Sequence, residues 1–311
     1  MSQPASVPGG VERDYPLARL TTIRTGGNAE YFARVETLAQ LEQVLAWAAS
    51  ADLEVGTVGS GSNLLVADAG FRGVVVKLDG QLAKMSRDRE EPTRVICGGG
   101  ARLPRVAART ADLGLSGLEF GVNIPGTVGG AVRMNANAYG GELARVLEWV
   151  DVVSSTGTDR RTADQLDFAY RSSNIASGEV AARASFALER SDVQSIKHTL
   201  KEMRAKRRAA QPAGIKTFGS TFKNPEDERA GDRSAGELLE QADCAGLRVG
   251  GARFSPKHAN FIENVGGEAS TADVLALIAE GRRRVRERFG VELESEVQLL
   301  GDADFSGGER P

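Results

Sequence analysis

The chain is poor in the residues that build metal centres and covalent staples. Among its 311 residues there are only two cysteines, Cys97 and Cys244, and two histidines, His198 and His258. Two distant cysteines make no disulfide framework and are not spaced as metal ligands. The scarcity of histidine argues in the same way against a zinc site, so no metal is expected. Neither histidine lies near a serine elbow motif, which argues against a Ser-His hydrolase triad. No stretch approaches the roughly 18 apolar residues of a membrane helix, and Met1 to Gly10 have neither a basic start nor an apolar run. One sign of charge does not prevail either: 39 basic and 42 acidic side chains leave a formal charge of −3. A dedicated nucleic-acid binder normally carries a basic excess to neutralise phosphates. These absences lead us to expect a cytoplasmic protein in a reducing compartment, with neither a nucleic-acid nor a membrane partner.

What is present is enough for a folded core, with 41% hydrophobic and 26% charged residues. The length suggests about two domains of roughly 150 residues each. Glycine is the informative count, at 37 residues. Ala29, Tyr31, Ala33 and Val35 alternate as a half-buried strand. Thr37 and Gln40 form a capping-box pattern ahead of Leu38, Leu41, Val44, Leu45 and Ala48 at helical spacing. A strand from Leu53 to Thr57 then runs into Gly59-Ser60-Gly61-Ser62-Asn63-Leu64, and Val74 to Val76 follow as a further apolar run. Val95 to Cys97 read as a strand, and Pro104 suits the first turn of a helix through Ala111. From Gly114 to Gly141 there are eight glycines in 28 residues. That stretch is too glycine-rich for a helix and too apolar for a linker, so irregular backbone held tightly against something is expected. Further helices are expected over 192–210, 235–242 and 272–289, the last stopped by Gly290. The final strand is expected from Val291 to Leu299, with Glu292, Glu294 and Glu296 on one face.

Glycines after a strand let backbone N–H groups converge on a phosphate. The dinucleotide fingerprint needs a third glycine and a helix opening at once, and Asn63-Leu64-Leu65-Val66 shows no helix start. The 59–64 loop alone equally reads as a structural turn, but two separate nest-like stretches, 59–63 and 126–130, suit a large ligand with two adjacent phosphates. Arg171 suits two-pronged recognition of a carboxylate, with a surface pair to Asp167 as the plain alternative. Ser220, in a Gly-Ser-Thr turn flanked by aromatics, either presents a hydroxyl to a pocket or caps backbone. Periodicity cannot choose among the three glutamates. The basic stretches Lys197–Arg208 and Arg282–Arg288 read as exposed helix faces.

Taken in order, these segments resemble a known family. Thr22-Ile23-Arg24-Thr25-Gly26-Gly27, the 59–65 loop, Ile124-Pro125-Gly126-Thr127-Val128-Gly129-Gly130-Ala131, Met134-Asn135-Ala136, Tyr170-Arg171, Gly219 to Pro225, Ser255 to Phe261 and Glu296-Val297 match motifs of the UDP-N-acetylenolpyruvoylglucosamine reductases, from about residue 17 to 301. The resemblance implies an α+β architecture: a two-subdomain FAD-binding fold of the vanillyl-alcohol-oxidase type over 17–80 and 81–191, then a C-terminal α/β substrate domain over 192–301. Residues 1–16 and 302–311 are expected as flexible tails. The short connection between Arg171 and Ser220 looks like the subclass without an extra substrate-covering loop.

The resemblance further implies that FAD is the cofactor and NADPH the hydride donor, with a UDP-sugar enolpyruvyl ether as small-molecule substrate and peptidoglycan precursor as the product. Gly59, Ser60, Gly61, Ser62, Asn63 and Leu64, with Gly121, Ile124, Pro125, Gly126, Thr127, Gly129, Gly130 and Ala131, are the implied cofactor-binding residues. Arg171, Ser220 and Glu296 are the implied catalytic residues: Arg171 and Glu296 stabilise charge, and Ser220 protonates the substrate. Tyr170, Lys223, Asn224 and His258 are implied to bind substrate. Asn123 and Asn137 stand where the family motifs carry glycine, and asparagine tolerates positive φ, so the backbone path is expected to be kept. A monomer is expected. The competing reading is an FAD-dependent oxidase of the same fold, which would normally tether its flavin through a His or Cys.

Overall fold

The computed structural model describes residues 6–212 and 214–305. The chain divides into two compact units that are discontinuous in sequence. The first holds the N-terminal segment up to Arg13 with Tyr31–Ser60 and Gly73–Arg207, and the second holds Asp14–Glu30, Gly61–Arg72 and the chain from Arg208 onward. This partition cuts across the three consecutive blocks that the sequence suggested.

In the first unit, helix α1 (Leu38–Ser50) is capped by Thr37, whose side chain accepts from the Gln40 N–H. The Gln40 amide oxygen reaches back to the N–H of Glu36, one residue earlier than the reciprocal box predicts. Leu41, Val44, Leu45 and Trp47 of α1 share one apolar cluster with Val74 and Val76 and with Val153, Val180 and Ala182. The four-stranded sheet here has the order Val11–Pro16, Asn28–Val35, Phe71–Leu78, Val55–Thr57. The five-stranded sheet has the order Gly157–Thr162, Leu147–Ser154, Val180–Ala187, Arg94–Gly98, Met85–Arg87, and every neighbouring pair in it is antiparallel. Because α1 buries its apolar face against residues of both sheets, the two expected FAD subdomains share a core.

Helices α2 (Leu103–Asp112), α3 (Val128–Arg133) and α4 (Val193–Ala210) complete this part of the chain. Helix α3 corrects the expectation that 114–141 is irregular throughout, as does the 3-10 turn Glu119–Asn123. Gly129 does not loosen α3; a Cβ there would press on the Ala181 carbonyl oxygen at 2.8 Å, so glycine allows the helix to pack closely.

The second unit is built on an apolar cluster that includes Ile23, Leu65, Phe218, Phe222, Leu293 and Val297. Helices α5 (Ala235–Gln241) and α6 (Thr271–Phe289) both begin with capping boxes, Ser234 with Glu237 and Ser270 with Asp273. Gly290 ends α6 at φ +70°, as its position after the last apolar residue predicts. The last strand is shorter than expected. Only Gln298–Leu300 pairs as a strand, parallel to Leu64–Val66, and the stretch before it makes one bridge, Ser295 to Phe222. The apolar alternation still holds upstream, with Val291, Leu293 and Val297 buried.

The tails also differ from expectation. Val11–Pro16 form an edge strand, where charged Glu12, Arg13 and Asp14 are tolerated because one edge stays unpaired. Phe305 packs against the second unit's core. Residues 1–5 and 306–311, the outer parts of both expected tails, lie outside the described residues.

Candidate active site

The glycine-rich cradle begins where the stretch 126–128 runs beside 101–103. Leu103 N–H donates to the Gly126 carbonyl at 3.1 Å, Val128 N–H to that of Ala101 at 2.9 Å, and Gly129 N–H to that of Gly99 at 2.7 Å. With the Gly130 N–H donating to Thr127 Oγ1 at 3.5 Å, three N–H groups of the expected phosphate nest are occupied within the protein. Several of its glycines also have internal reasons. A Cβ on Gly59 would collide with Thr127 Oγ1, one on Gly121 would lie 2.9 Å from Leu103 Cγ, and one on Gly61, at φ +63°, would collide with the Leu20 carbonyl oxygen.

Gly126 and Gly130 differ from these. Neither has a left-handed backbone, and a Cβ would meet nothing nearer than 3.8 Å at Gly126 or 3.6 Å at Gly130. Neither torsion nor a described neighbour accounts for the missing side chains, and backbone without a Cβ has room for close approach of a bound group. Ser60 Oγ is buried without a hydrogen-bond partner, an arrangement that costs about 1–3 kcal/mol unless a ligand fills it. Beside Gly59 and Thr127 opens a cavity of about 430 Å³ that Lys77, Arg102, Arg105 and Arg109 also line. Lys77 Nζ donates to the Gly59 carbonyl at 2.6 Å. Burial and the Arg34 charge pull its pKa below the usual lysine value. Asp79, the acidic lining residue, pairs with Arg34 at 3.0 Å. The excess of cations in a half-enclosed cavity suits an anionic group, and the open glycines and orphaned hydroxyl suit the pyrophosphate of FAD. Ile124 and Pro125 lead into this stretch, and Ala131 is buried on α3. Sequence reading missed Lys77 and Arg102; Lys77 lies inside the strand Phe71–Leu78 and Arg102 directly before α2, and no motif marks either.

Arg171 sits at the tip of a tight reversal in the same unit. Ala169 and Ser172 exchange backbone hydrogen bonds of 3.1 and 3.2 Å, and Arg171 between them has φ +57°. A non-glycine residue held there stores about 1–3 kcal/mol of strain. The turn is pinned to the segment 133–137. Ser173 Oγ donates to the Arg133 carbonyl at 2.8 Å, Asn135 Nδ2 to the Ala169 carbonyl at 3.3 Å, and Arg171 Nη1 to Asn137 Oδ1 at 2.8 Å. Asp167, the plain alternative partner, accepts from Asn174 Nδ2 at 3.0 Å. The guanidinium lies 4.9 Å from the centroid of the Tyr170 ring.

Ser220 and Glu296 are brought onto neighbouring backbone in the second unit. Ser220 bridges Phe261, and Phe222 bridges Ser295. Between them, Thr221 N–H donates to the Asn260 carbonyl, and Glu296 N–H donates to the Thr221 carbonyl, both at 2.8 Å. The Asn260 side chain clamps Phe222, accepting from its N–H and donating to its carbonyl, each at 2.9 Å. Asn63 Nδ2 donates to the Glu296 carbonyl at 3.2 Å, so one residue of the glycine loop supports the glutamate segment. Ser62 and Leu64 flank it, with Leu64 in the parallel strand pair. Burial separates the three glutamates. Glu292 and Glu294 are exposed and face Arg286 at 3.4 Å and Lys223 at 3.0 Å, whereas Glu296 is half-buried. His258 Nδ1 accepts the Asn260 N–H at 3.3 Å, and its ring leans on Phe261 with centroids 4.9 Å apart. Asn224 Oδ1 accepts the first N–H of α5, from Ala235, at 3.1 Å.

Comparison with known proteins decides the family. A model described as the C-terminal domain of UDP-N-acetylenolpyruvoylglucosamine reductase matches residues 211–300, and one described as an FAD-binding domain matches 29–163. UDP-N-acetylenolpyruvoylglucosamine reductase 2 of Symbiobacterium thermophilum is 40% identical over 296 residues, covering 94% of this chain and 93% of that protein. The reductase of Novosphingobium aromaticivorans is 40% identical over 96% of this chain and 98% of its own. The chain belongs to the UDP-N-acetylenolpyruvoylglucosamine reductase family. The crystal structure of the Thermus caldophilus reductase, 35% identical, superposes with a TM-score of 0.79 and covers 93% of this chain and 98% of that one. The fold is accordingly the family's FAD-binding fold followed by its C-terminal domain.

Within the reductase family, the two asparagine departures have another reason than the expected one. Neither Asn123 nor Asn137 has a positive φ. Asn123 Nδ2 instead donates to the Met203 carbonyl of α4 at 2.7 Å, and Asn137 receives Arg171. Among the cations of 204–216, burial sets Arg207 apart from Arg204, Lys206 and Arg208, which are exposed; it lowers the Arg207 pKa while Tyr139 nearby opposes that shift. Cys97, the one thiol in the FAD-binding half, is buried in the strand Arg94–Gly98 with its pKa pushed up to about 12, which makes it a poor covalent tether for a flavin.

Proposed function

We propose that this protein is an FAD-dependent oxidoreductase that uses NADPH to reduce the enolpyruvyl ether of UDP-N-acetylglucosamine-enolpyruvate to UDP-N-acetylmuramate. It thereby serves peptidoglycan precursor synthesis, cell-wall biogenesis, cell shape and division. The observation that carries the reading is family membership over nearly the whole chain, to which the ladder joining Ser220 to Glu296 adds support. When bound, FAD would supply a two-electron carrier between NADPH and C3 of the enol ether. Gly126 and Gly130 would admit its pyrophosphate, and the Ser60 hydroxyl, Lys77 and Arg102 would meet its charge. As the new C–H bond forms at C3, negative charge builds on C2 and its carboxylate. Arg171 takes that carboxylate, because a planar guanidinium matches it with two parallel hydrogen bonds. Ser220 gives its hydroxyl proton to C2, which a weak acid can do only toward a strongly basic carbanion. Glu296 stabilises the same developing charge, directly as an acid or through a water. Tyr170, Lys223, Asn224 and His258 hold the sugar nucleotide.

The working form is a cytoplasmic monomer. Its two thiols, both buried and unpaired, suit a reducing compartment. Among the described residues no helix is long and apolar enough to cross a membrane. NADPH oxidation that requires the enolpyruvyl substrate and consumes no oxygen tests the activity. Oxygen uptake with no need of that substrate would return the protein to the oxidase reading.

A further inference from the structure

The Asn137 side chain accepts the Arg171 Nη1–H at 2.8 Å. We infer that Asn137 is a positioning residue that orients the Arg171 guanidinium toward the substrate carboxylate. The inference rests on the reading of Arg171 given above.

Four features support it. The backbone at Arg171 is already fixed: φ is +57° at the tip of a two-residue reversal, and Asn135, itself buried, anchors that reversal at Ala169. What the backbone leaves undetermined is the plane of the guanidinium at the end of a long, rotamer-rich side chain, and a glycine at 137 would offer nothing to set it. Asn137 lies in a short strand, Asn137–Ala138, paired antiparallel to Gly141–Glu142, so its carboxamide is carried on ordered backbone. The Tyr170 ring, 4.9 Å away, gives the cation a second reference surface. Finally, the acceptor is neutral. A carboxylate in its place would hold the same N–H but add a negative charge beside the substrate's own, whereas a carboxamide orients the cation without adding one.

The test uses the FAD-loaded enzyme and two readouts: equilibrium affinity for the enolpyruvyl substrate by calorimetry, and stopped-flow rates of the two flavin half-reactions. Asn137→Ala should weaken substrate binding and slow substrate-driven flavin reoxidation by about ten- to hundredfold, the range for one hydrogen bond to a charged group. FAD affinity and flavin reduction by NADPH should stay within twofold of wild type. Asn137→Asp, which keeps the shape and the acceptor, should fold normally yet lose at least tenfold in substrate affinity. In an Arg171→Ala background, Asn137→Ala should add less than twofold, because its whole effect passes through Arg171. An undiminished effect with Arg171 absent, or wild-type substrate affinity in both Asn137 variants while Arg171→Ala is impaired, overturns the positioning role and leaves the reading of Arg171 standing. Wild-type affinity and rates in Arg171→Ala would sink that reading itself, whatever the Asn137 variants do.

Discussion

Adding one methyl group at three glycines separates a cradle built for a cofactor from one built only for packing. At Gly126 and Gly130 the protein leaves room, since the nearest atoms to an added Cβ are 3.8 and 3.6 Å away. The backbone torsions suit alanine at both positions, and Gly130 lies inside α3. Gly126→Ala and Gly130→Ala should therefore hold or raise the stability of the apoprotein, by about 0.4–1 kcal/mol from the stiffer unfolded chain. That corresponds to a rise in Tm of about 1–3 °C for a protein of this size. In the proposed cradle the same methyl would stand in the way of the FAD pyrophosphate. Overpacking of that kind costs about 1–3 kcal/mol, or about 5- to 150-fold in affinity. Gly59→Ala behaves oppositely. Its Cβ would collide with Thr127 Oγ1 and come within 3.2 Å of Thr127 Cγ2, and Thr127 is the buried cap of α3. The apoprotein itself should lose about 1–3 kcal/mol. The assay is thermal melting with and without FAD, together with the flavin absorbance of the purified protein. At FAD one hundred times its Kd, wild type gains about 2.7 kcal/mol from the ligand, and a variant weakened tenfold gains only about half as much. If Gly126→Ala and Gly130→Ala bind FAD as tightly as wild type, the pyrophosphate does not lie against them and the cradle has been misplaced.

The glutamate row is tested by three parallel variants. Glu296→Gln should slow flavin reoxidation by roughly 10² to 10³, while Glu292→Gln and Glu294→Gln, exposed partners of Arg286 and Lys223, should change rates by less than about threefold; equal effects would return Glu296 to a solvated face. His258 carries a pH signature. Burial lowers its pKa, and its Nδ1 accepts a hydrogen bond from Asn260 that protonation would break. The unfolded chain therefore takes up this proton before the folded one does, so stability should fall as pH drops through about 6.5, the ordinary histidine value. Thermal melts between pH 7 and 5 should show a steeper loss for wild type than for His258→Gln, and parallel slopes would contradict the lowered pKa. A magnetic-resonance titration of the His258 ring proton reads the lowered pKa directly.

Much of the architecture was legible because it is local. The capping residue Thr37 before α1, the period of α1 and Gly290 after α6 each state their element within a few residues. What escaped depended on partners far along the chain. The glycines at 129–130 read as a break in regular structure, yet Gly129 is needed so that α3 can lie against Ala181, some fifty residues later. The terminal strand pairs in parallel with Leu64–Val66, more than 230 residues earlier, and no local pattern announces such a register. The same distance explains why 14–30 and 61–72 belong with the C-terminal unit: Ile23 and Leu65 bury their side chains among Phe218, Phe222 and Leu293. At the candidate site, the motif residues were visible by type and their supports were not. Periodicity could not separate Glu296 from Glu292, which required the bond to Thr221 and the burial at that position. Asn137 was first read as a tolerant backbone residue, because its role lies in a side-chain contact to Arg171 across 34 positions.

The role given to Ser220 is exposed most directly by stopped-flow absorbance of the flavin in Ser220→Ala, following the two half-reactions separately. Proton delivery by this hydroxyl predicts reduction by NADPH at the wild-type rate and reoxidation by the enolpyruvyl substrate slowed by about 10² to 10⁴. Reoxidation at full speed with the hydroxyl gone would contradict it.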